Sequence, residues 1–362
     1  MRSIAIKQLS KAGLCLSILC ASQMIFAQTE LKHWSPEQAT QLNQFIEKHK
    51  NQNEYAVFDM DNTSYQYDLT EYMLVYLEQN KVLTRENLDP ALKLIPFKDT
   101  ATEKESLYSY YSRLCEIDDL VCYPWIAQSF SGLKLKDVKP LVDKALAEQK
   151  VLNTRYYSGD KMVDGTIKAP KLFPAMQELY NKLQENGINV YVMTAANEEI
   201  ARMVIADKKY GYNVKPENVI GVNVLLKNHT NNQYDTSRLQ IKRGKYNQAY
   251  NMENMQFTSY LMNPMTWFEG KLGSITGWID QWRKPIMTGG DTTYSDGYML
   301  LNGTDMEKGG LRIWVDRKAK YTEKMANWRK QSAETQQKLG LKADADQGWI
   351  VVKPEQMYQA QP

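Results

Sequence analysis

Histidine is scarce: 362 residues hold only His33, His49 and His229, two in a leading helical stretch and one in a polar turn. A histidine phosphatase, a Ser-His-Asp hydrolase and a multi-histidine zinc site each need imidazoles gathered at one place, so all three are poorly supported. No Gly-x-x-x-x-Gly-Lys-Ser/Thr loop occurs, which disfavours nucleotide hydrolysis of the P-loop type. Internal repeats and low-complexity tracts are missing too, and a composition of 43% hydrophobic and 24% charged residues describes a globular chain. At about 150 residues per domain, the length suits two domains or one large domain with an insertion.

Long apolar runs are also lacking. The run from Ala12 to Ala27 is too short to span a bilayer, and Arg2, Lys7 and Lys11 precede it. Residues 1–27 therefore read as a secretory signal peptide cut after Ala27, with an uncleaved anchor as the alternative. Cleavage implies a periplasmic or secreted protein with no membrane association afterwards. The whole chain has 45 Lys and Arg against 42 Asp and Glu, and the leader's three basic residues account for the surplus. Charge thus gives no support to a nucleic-acid partner.

Of four cysteines, Cys15 and Cys20 lie in the leader, which leaves Cys115 and Cys122 for an oxidising compartment, where a disulfide is the economical state. On one continuous helix, seven residues separate two Cα atoms by about 10 Å, beyond the reach of a bridge. If the two pair, CEIDDLVC turns back between two helices.

The mature chain opens with a helix signalled by Ser35-Pro36-Glu37-Gln38, followed by the apolar strand Glu54 to Phe58, which stops at Asp59-Met-Asp-Asn-Thr63. Residues 68–166 read as helical with short breaks. An α/β rhythm then resumes: a helix over 170–186, a strand over 188–193, a helix over 198–209 and a strand over 219–226. A hairpin comes next, then strands at 285–291, 310–315 and 349–352, with a polar helix over 321–339. Helix, glycine, strand is the crossover pattern of a parallel sheet, whose ligands bind outside the carboxyl ends of the strands. Three strands end there in VFDMDNT, YVMTAAN and IMTGGDTTYSD. Singly, Asp-x-Asp is equally a turn or cap, Gly-Gly-Asp a turn, and Thr194 a helix cap.

Together and in order, these runs resemble the haloacid dehalogenase superfamily of aspartate-dependent phosphatases. Asp59-x-Asp61-x-Thr63 matches the first signature, Thr194 the second, Lys271 in Glu-Gly-Lys the third, and Gly290-Asp291 with Asp296 the fourth, one residue longer than the commonest spacing. The resemblance implies an α/β fold: a Rossmann-like parallel core from residues 28–67 and 167–362, with a helical cap, 68–166, inserted after the first strand motif. It further implies that Asp59, Asp291 and the backbone carbonyl of Asp61 bind Mg2+, with other divalent cations as alternatives. Asp59 would attack phosphorus and Asp61 would act as acid and base. Thr63 would support the loop, Thr194 would hold phosphoryl oxygens, Lys271 would neutralise charge, and Asp296 would be a secondary acid. Such chemistry needs these groups, because a phosphate dianion repels a carboxylate until cations compensate it.

The runs LYSYYSRLCEIDDLVCYPWIA and FTSYLMNPMTWFEGK narrow the resemblance to secreted bacterial phosphatases of phosphorylcholine. The expected substrate is a small phosphate monoester, phosphorylcholine and by extension phosphoethanolamine. Phosphoserine or another small ester is the alternative, as are transfer to an alcohol and a non-catalytic binding protein. Aromatic faces with nearby carboxylates hold quaternary ammonium groups, so Glu103, Glu105, Tyr108, Tyr111 and Trp125 are candidates for the leaving group; core packing is the other reading of each aromatic.

Overall fold

The parallel strands of the central sheet all end at one edge. This is seen in a computed structural model that describes residues 28–262 and 265–360. The proposed signal peptide lies outside the described residues. Helix α1 (Pro36–His49) starts as its sequence requires: the Ser35 hydroxyl accepts the Gln38 N–H, and the Gln38 side chain returns a bond to the Ser35 N–H. Strand β1 (Tyr55–Phe58) is buried throughout, and β2 (Tyr65–Gln66) follows the acidic loop.

Between β2 and the second part of the core come α2 (Leu69–Gln79), α3 (Leu107–Ile117), α4 (Asp119–Gln128) and α5 (Leu135–Glu148). Asp118 ends α3 and its side chain caps α4 by accepting the Leu120 N–H, so the chain reverses at this residue. The reversal brings the Cα atoms of Cys115 and Cys122 to 4.9 Å, and the two are joined as a disulfide. The stretch read as helical also contains a hairpin, β3 (Val151–Ser158) against β4 (Lys161–Lys168). Its first strand alternates, with Leu152, Thr154 and Tyr157 inward, and a two-residue Gly159-Asp160 link joins it to the second. The all-helical expectation fails there because so few of the inward positions are aliphatic.

β5 (Lys171–Leu172) pairs with β2; α6 (Pro174–Glu185), β6 (Asn189–Asn197), α7 (Glu198–Ile205) and β7 (Val219–Asn228) then continue the crossover pattern. β8 (Tyr234–Asp235), α8 (Ser237–Lys242), α9 (Gln248–Asn254) and β9 (Met255–Met262) extend β7 antiparallel. The chain finishes with α10 (Glu269–Ser274), β10 (Met287–Gly290), α11 (Thr293–Tyr298), β11 (Leu311–Val315), α12 (Ala319–Lys338) and β12 (Trp349–Val352).

The sheet runs β12-β11-β10-β1-β6-β7-β8, parallel from β12 to β7, which is the expected α/β core. Phe58 is in register with Gly289 on one side and Val192 on the other. Consequently Asp59, Thr194 and Asp291 leave the sheet at the same edge. The paired glycines of β10 permit this: a Cβ on Gly289 would lie 2.5 Å from the Phe58 ring, and one on Gly290 would lie 2.5 Å from the Asp296 Cβ. No helix among the described residues is long and apolar enough to cross a membrane.

Candidate active site

The acidic loop is held from three directions. The Asp59 N–H donates to Gly289 O at 2.9 Å, the Ser64 hydroxyl donates to Asp59 O at 2.8 Å, and the Tyr212 hydroxyl donates to Ser64 O at 2.6 Å. Asn62 turns the loop with φ 60, a left-handed conformation that Asn tolerates better than most side chains. Thr63 Oγ1 then lies 3.1 Å from Asp59 Oδ2 and 3.4 Å from Asp291 Oδ1. One hydroxyl thus spans two acids that are 232 residues apart in number and adjacent in space.

Asp59, Asp291 and Asp296 are all buried, and each offers a carboxylate oxygen within 4.8 Å of the others. Lys271, wholly buried, donates from Nζ to Asp59 and, at 2.6 Å, to Asp296 Oδ1. Asp296 Oδ2 accepts the backbone N–H groups of Asp291 and Thr292 at 2.9 and 3.0 Å, which fixes the turn after β10. Arg317, just beyond β11, pairs through Nε with Asp291 Oδ2.

Burial dominates the electrostatics. It pushes the Asp59 carboxyl up to about 6 against the opposing pull of Lys271, and Asp291 up to about 8 against that of Arg317. Burial would lower the Lys271 ammonium, but Asp296 and Asp59 outweigh it and raise it above the usual lysine range. Burial, reinforced by Asp68, holds Asp61 well above the ordinary carboxylate range. With all three ionised, as cation binding requires, Asp59, Asp291 and Asp296 facing Lys271 and Arg317 leave one uncompensated negative charge. This hard-oxygen donor set fits a divalent cation such as magnesium.

A cavity of about 310 Å³ opens over these groups, lined at its floor by Asp59, Asp61, Thr194 and Asp291. That volume is at the small end for ligand pockets and suits a small ester. Thr194 is buried and its hydroxyl accepts the Ala196 N–H at 3.1 Å; Asn197, not Thr194, caps α7. Asp68, whose neighbour Leu69 donates its N–H to Asp61, also lines the cavity, as do Glu71, Tyr111, Tyr123 and Tyr321. The Tyr111 hydroxyl donates to Glu71 at 3.3 Å, and burial with Asp68 nearby pushes Glu71 up to about 8.

Of the five leaving-group candidates, four do not line this cavity. Glu103 pairs with Arg155 at 2.6 Å on the outside, away from the cavity. Glu105 is buried but spent, accepting the Lys98 N–H at 2.6 Å, the Ser109 hydroxyl at 2.9 Å and Arg113 at 2.7 Å. Trp125 donates to Leu92 O at 2.7 Å and packs in the core, and Tyr108 stands behind Tyr111 at 6.3 Å. Neither lines the cavity, whereas Tyr111 does. Sequence reading missed Asp68, Glu71, Tyr123, Tyr321 and Arg317. Asp68 and Glu71 had a signal in their position directly after the first acidic motif; Arg317 had only its place after a sheet strand.

No family model matches the chain. It is 52% identical over 348 residues to the phosphorylcholine phosphatase of Pseudomonas aeruginosa, covering 96% of this chain and 99% of that protein. A crystal structure of a conserved, functionally unknown protein from Anaerococcus prevotii shares the fold, with a TM-score of 0.56 at 17% identity over 90% of this chain and 97% of that one.

Proposed function

The chain belongs to the phosphorylcholine phosphatase family of the haloacid dehalogenase superfamily and is a phosphomonoesterase, and from that premise we propose that its own substrate is phosphorylcholine. The observation that carries the proposal is one small cavity whose lining joins the acid cluster of Asp59 and Asp291 to a group of one carboxylate and two rings, Glu71, Tyr111 and Tyr123. A phosphate dianion suits the first group, and a quaternary ammonium suits the second, where a carboxylate and ring faces meet.

Asp59 supplies the carboxylate oxygen that attacks phosphorus in line, forming an aspartyl-phosphate as the P–O bond to the alcohol breaks. Asp61, held protonated by burial, gives its proton to the leaving oxygen and then takes one from the water that hydrolyses the intermediate. Lys271 neutralises charge on Asp59 and on the phosphoryl group, while Thr194 and the amide after it hold phosphoryl oxygens. Asp59 and Asp291, with the Asp61 carbonyl, would hold Mg2+, which when bound offsets the charge that otherwise repels nucleophile from phosphate. Residues 68–166 act as the cap that selects the alcohol. The leader and the Cys115–Cys122 disulfide support a periplasmic or secreted location.

Hydrolysis of phosphorylcholine, phosphoethanolamine, phosphoserine and a chromogenic ester, each with and without magnesium, tests the reading. The highest kcat/KM is expected for phosphorylcholine with magnesium. Equal values for all four esters would overturn the choline assignment. Trapping by beryllium fluoride should require both magnesium and Asp59, and trapping without the cation would overturn the metal-assisted route.

A further inference from the structure

We propose that Arg317 is a tethered counter-cation that competes with the divalent metal for Asp291 and, once displaced, binds the phosphate of the incoming ester; this rests on the metal reading above. Its backbone is fixed, since the Arg317 N–H donates to Val315 O and the Asp316 N–H to Val352 O, both at 2.9 Å. Only the side chain is free to exchange partners. Nε holds Asp291 Oδ2, and the guanidinium lies 4.9 Å from the Tyr321 ring, a second seat within the same cavity wall.

Two features separate Arg317 from Lys271. Lys271 is wedged between two carboxylates with no exposure, whereas the Arg317 side chain is 19% exposed and lines the cavity. Among the described residues, neither terminal guanidinium nitrogen of Arg317 makes a hydrogen bond, so a planar fork of N–H donors stands open beside the phosphoryl position. Such a fork matches two phosphate oxygens.

Charge supplies the exchange. With Arg317 on Asp291, the three carboxylates and two cations leave a net negative cluster that repels a dianion. A divalent cation on Asp291 reverses that sign and frees the guanidinium at the moment when a phosphate needs it. The predicted order is therefore metal before phosphate.

The test is titration calorimetry of the full mature chain with Mg2+, and with inorganic phosphate at saturating Mg2+, for wild type, Arg317→Gln and Arg317→Lys. Loss of the competitor should tighten Mg2+ binding about ten-fold in Arg317→Gln and weaken phosphate about ten-fold. Arg317→Lys should keep Mg2+ binding near wild type, since the charge remains, yet still lose phosphate affinity, since the fork does not. Unchanged or weaker Mg2+ binding in Arg317→Gln would overturn the exchange while leaving the metal reading intact. Failure of wild type and both variants to bind Mg2+ would overturn both. Should Arg317→Gln not fold, the lysine variant decides alone: phosphate affinity equal to wild type would overturn the proposal.

Discussion

The Tyr65 hydroxyl donates to Oδ1 of Asp61 at 2.8 Å, the same oxygen that accepts the Leu69 N–H at 2.9 Å. Two donors on one oxygen leave Oδ2 to carry the proton of the neutral acid. In the mechanism proposed above, the Tyr65 hydroxyl would therefore set both the orientation of the acid and which of its atoms meets the leaving group.

Removing that hydroxyl yields the first prediction. Burial and Asp68 raise the Asp61 carboxyl, and the Tyr65 hydrogen bond opposes them. An acid catalyst works while protonated, so activity falls as pH rises through its raised pKa. Tyr65→Phe removes a lowering influence; the alkaline fall of kcat should move to higher pH, with kcat at neutral pH reduced about ten-fold through lost orientation. Asp61→Asn should cost about two to four orders of magnitude. A Tyr65→Phe profile with its alkaline limb unmoved would remove Asp61 from the acid role.

The second prediction separates the cavity wall from its surroundings. Glu71→Gln should raise KM for phosphorylcholine about ten-fold or more while leaving an aryl phosphate, whose leaving group is uncharged, unaffected, because only the former presents a cation to Glu71. Glu103→Gln should change neither. Since Glu71 sits at about 8 before a cation arrives, KM for phosphorylcholine should fall as pH rises toward that value, in step with its ionisation. A KM equally sensitive for both esters would place the choline group elsewhere.

The contrast between Glu71 and Glu103 shows where legibility ended. The floor of the site was readable because Asp59 and Asp291 follow β1 and β10 directly and Thr194 lies in the carboxyl half of β6, and parallel register forces these positions together. The wall was not, because it depends on rotation about helix axes. Tyr123 and Trp125 are two apart on α4 and so face opposite ways: Tyr123 meets the cavity while Trp125 enters the core. Residue type alone, which suggested Trp125, does not tell the two faces apart. Glu71 was hidden because Asp68-x-x-Glu71 also reads as a helix start, and Asp68 does accept the Glu71 N–H at 2.8 Å. Arg317 lay in a charged Asp-Arg-Lys run that resembles any solvated loop. The β3–β4 hairpin did have a signal in its Gly-Asp link, outweighed by the helical periodicity before it.

Stability in the absence of metal gives a third prediction. Asp291 and Glu71 both sit at about 8 in the folded chain, above their values of about 4 when unfolded. A carboxyl raised by folding binds its proton more tightly in the native state, so its contribution is complete below about pH 4 and is lost as pH rises toward 8. The melting temperature of chelator-treated protein should therefore decline across that interval, apart from any general acid denaturation at its lower end. Magnesium should restore it most at pH 8, where Asp291 is ionised and free to bind. A magnesium-induced shift that is largest at pH 5 would contradict this placement of Asp291.

The disulfide links stability to specificity and gives the last prediction. Cys115 on α3 and Cys122 on α4 close a short loop, and the same two helices carry Tyr111 and Tyr123 to the cavity. Replacing both cysteines by serine should cost about 2.5 kcal/mol from the lost loop constraint. The loss should not be confined to unfolding. The reversal between the helices is then held without a covalent tie, by the Asp118 cap on the Leu120 N–H and by Tyr110 and Tyr111 packed on Trp125, so the separation of Tyr111 and Tyr123 is less tightly fixed. KM for phosphorylcholine should rise several-fold, while kcat on an aryl phosphate stays near wild type because Asp59 and Asp291 are held by the sheet edge and Lys271 by α10, none of them on the bridged helices. Equal loss of kcat on both esters would mean that the bridge supports the whole protein rather than the wall that reads the alcohol.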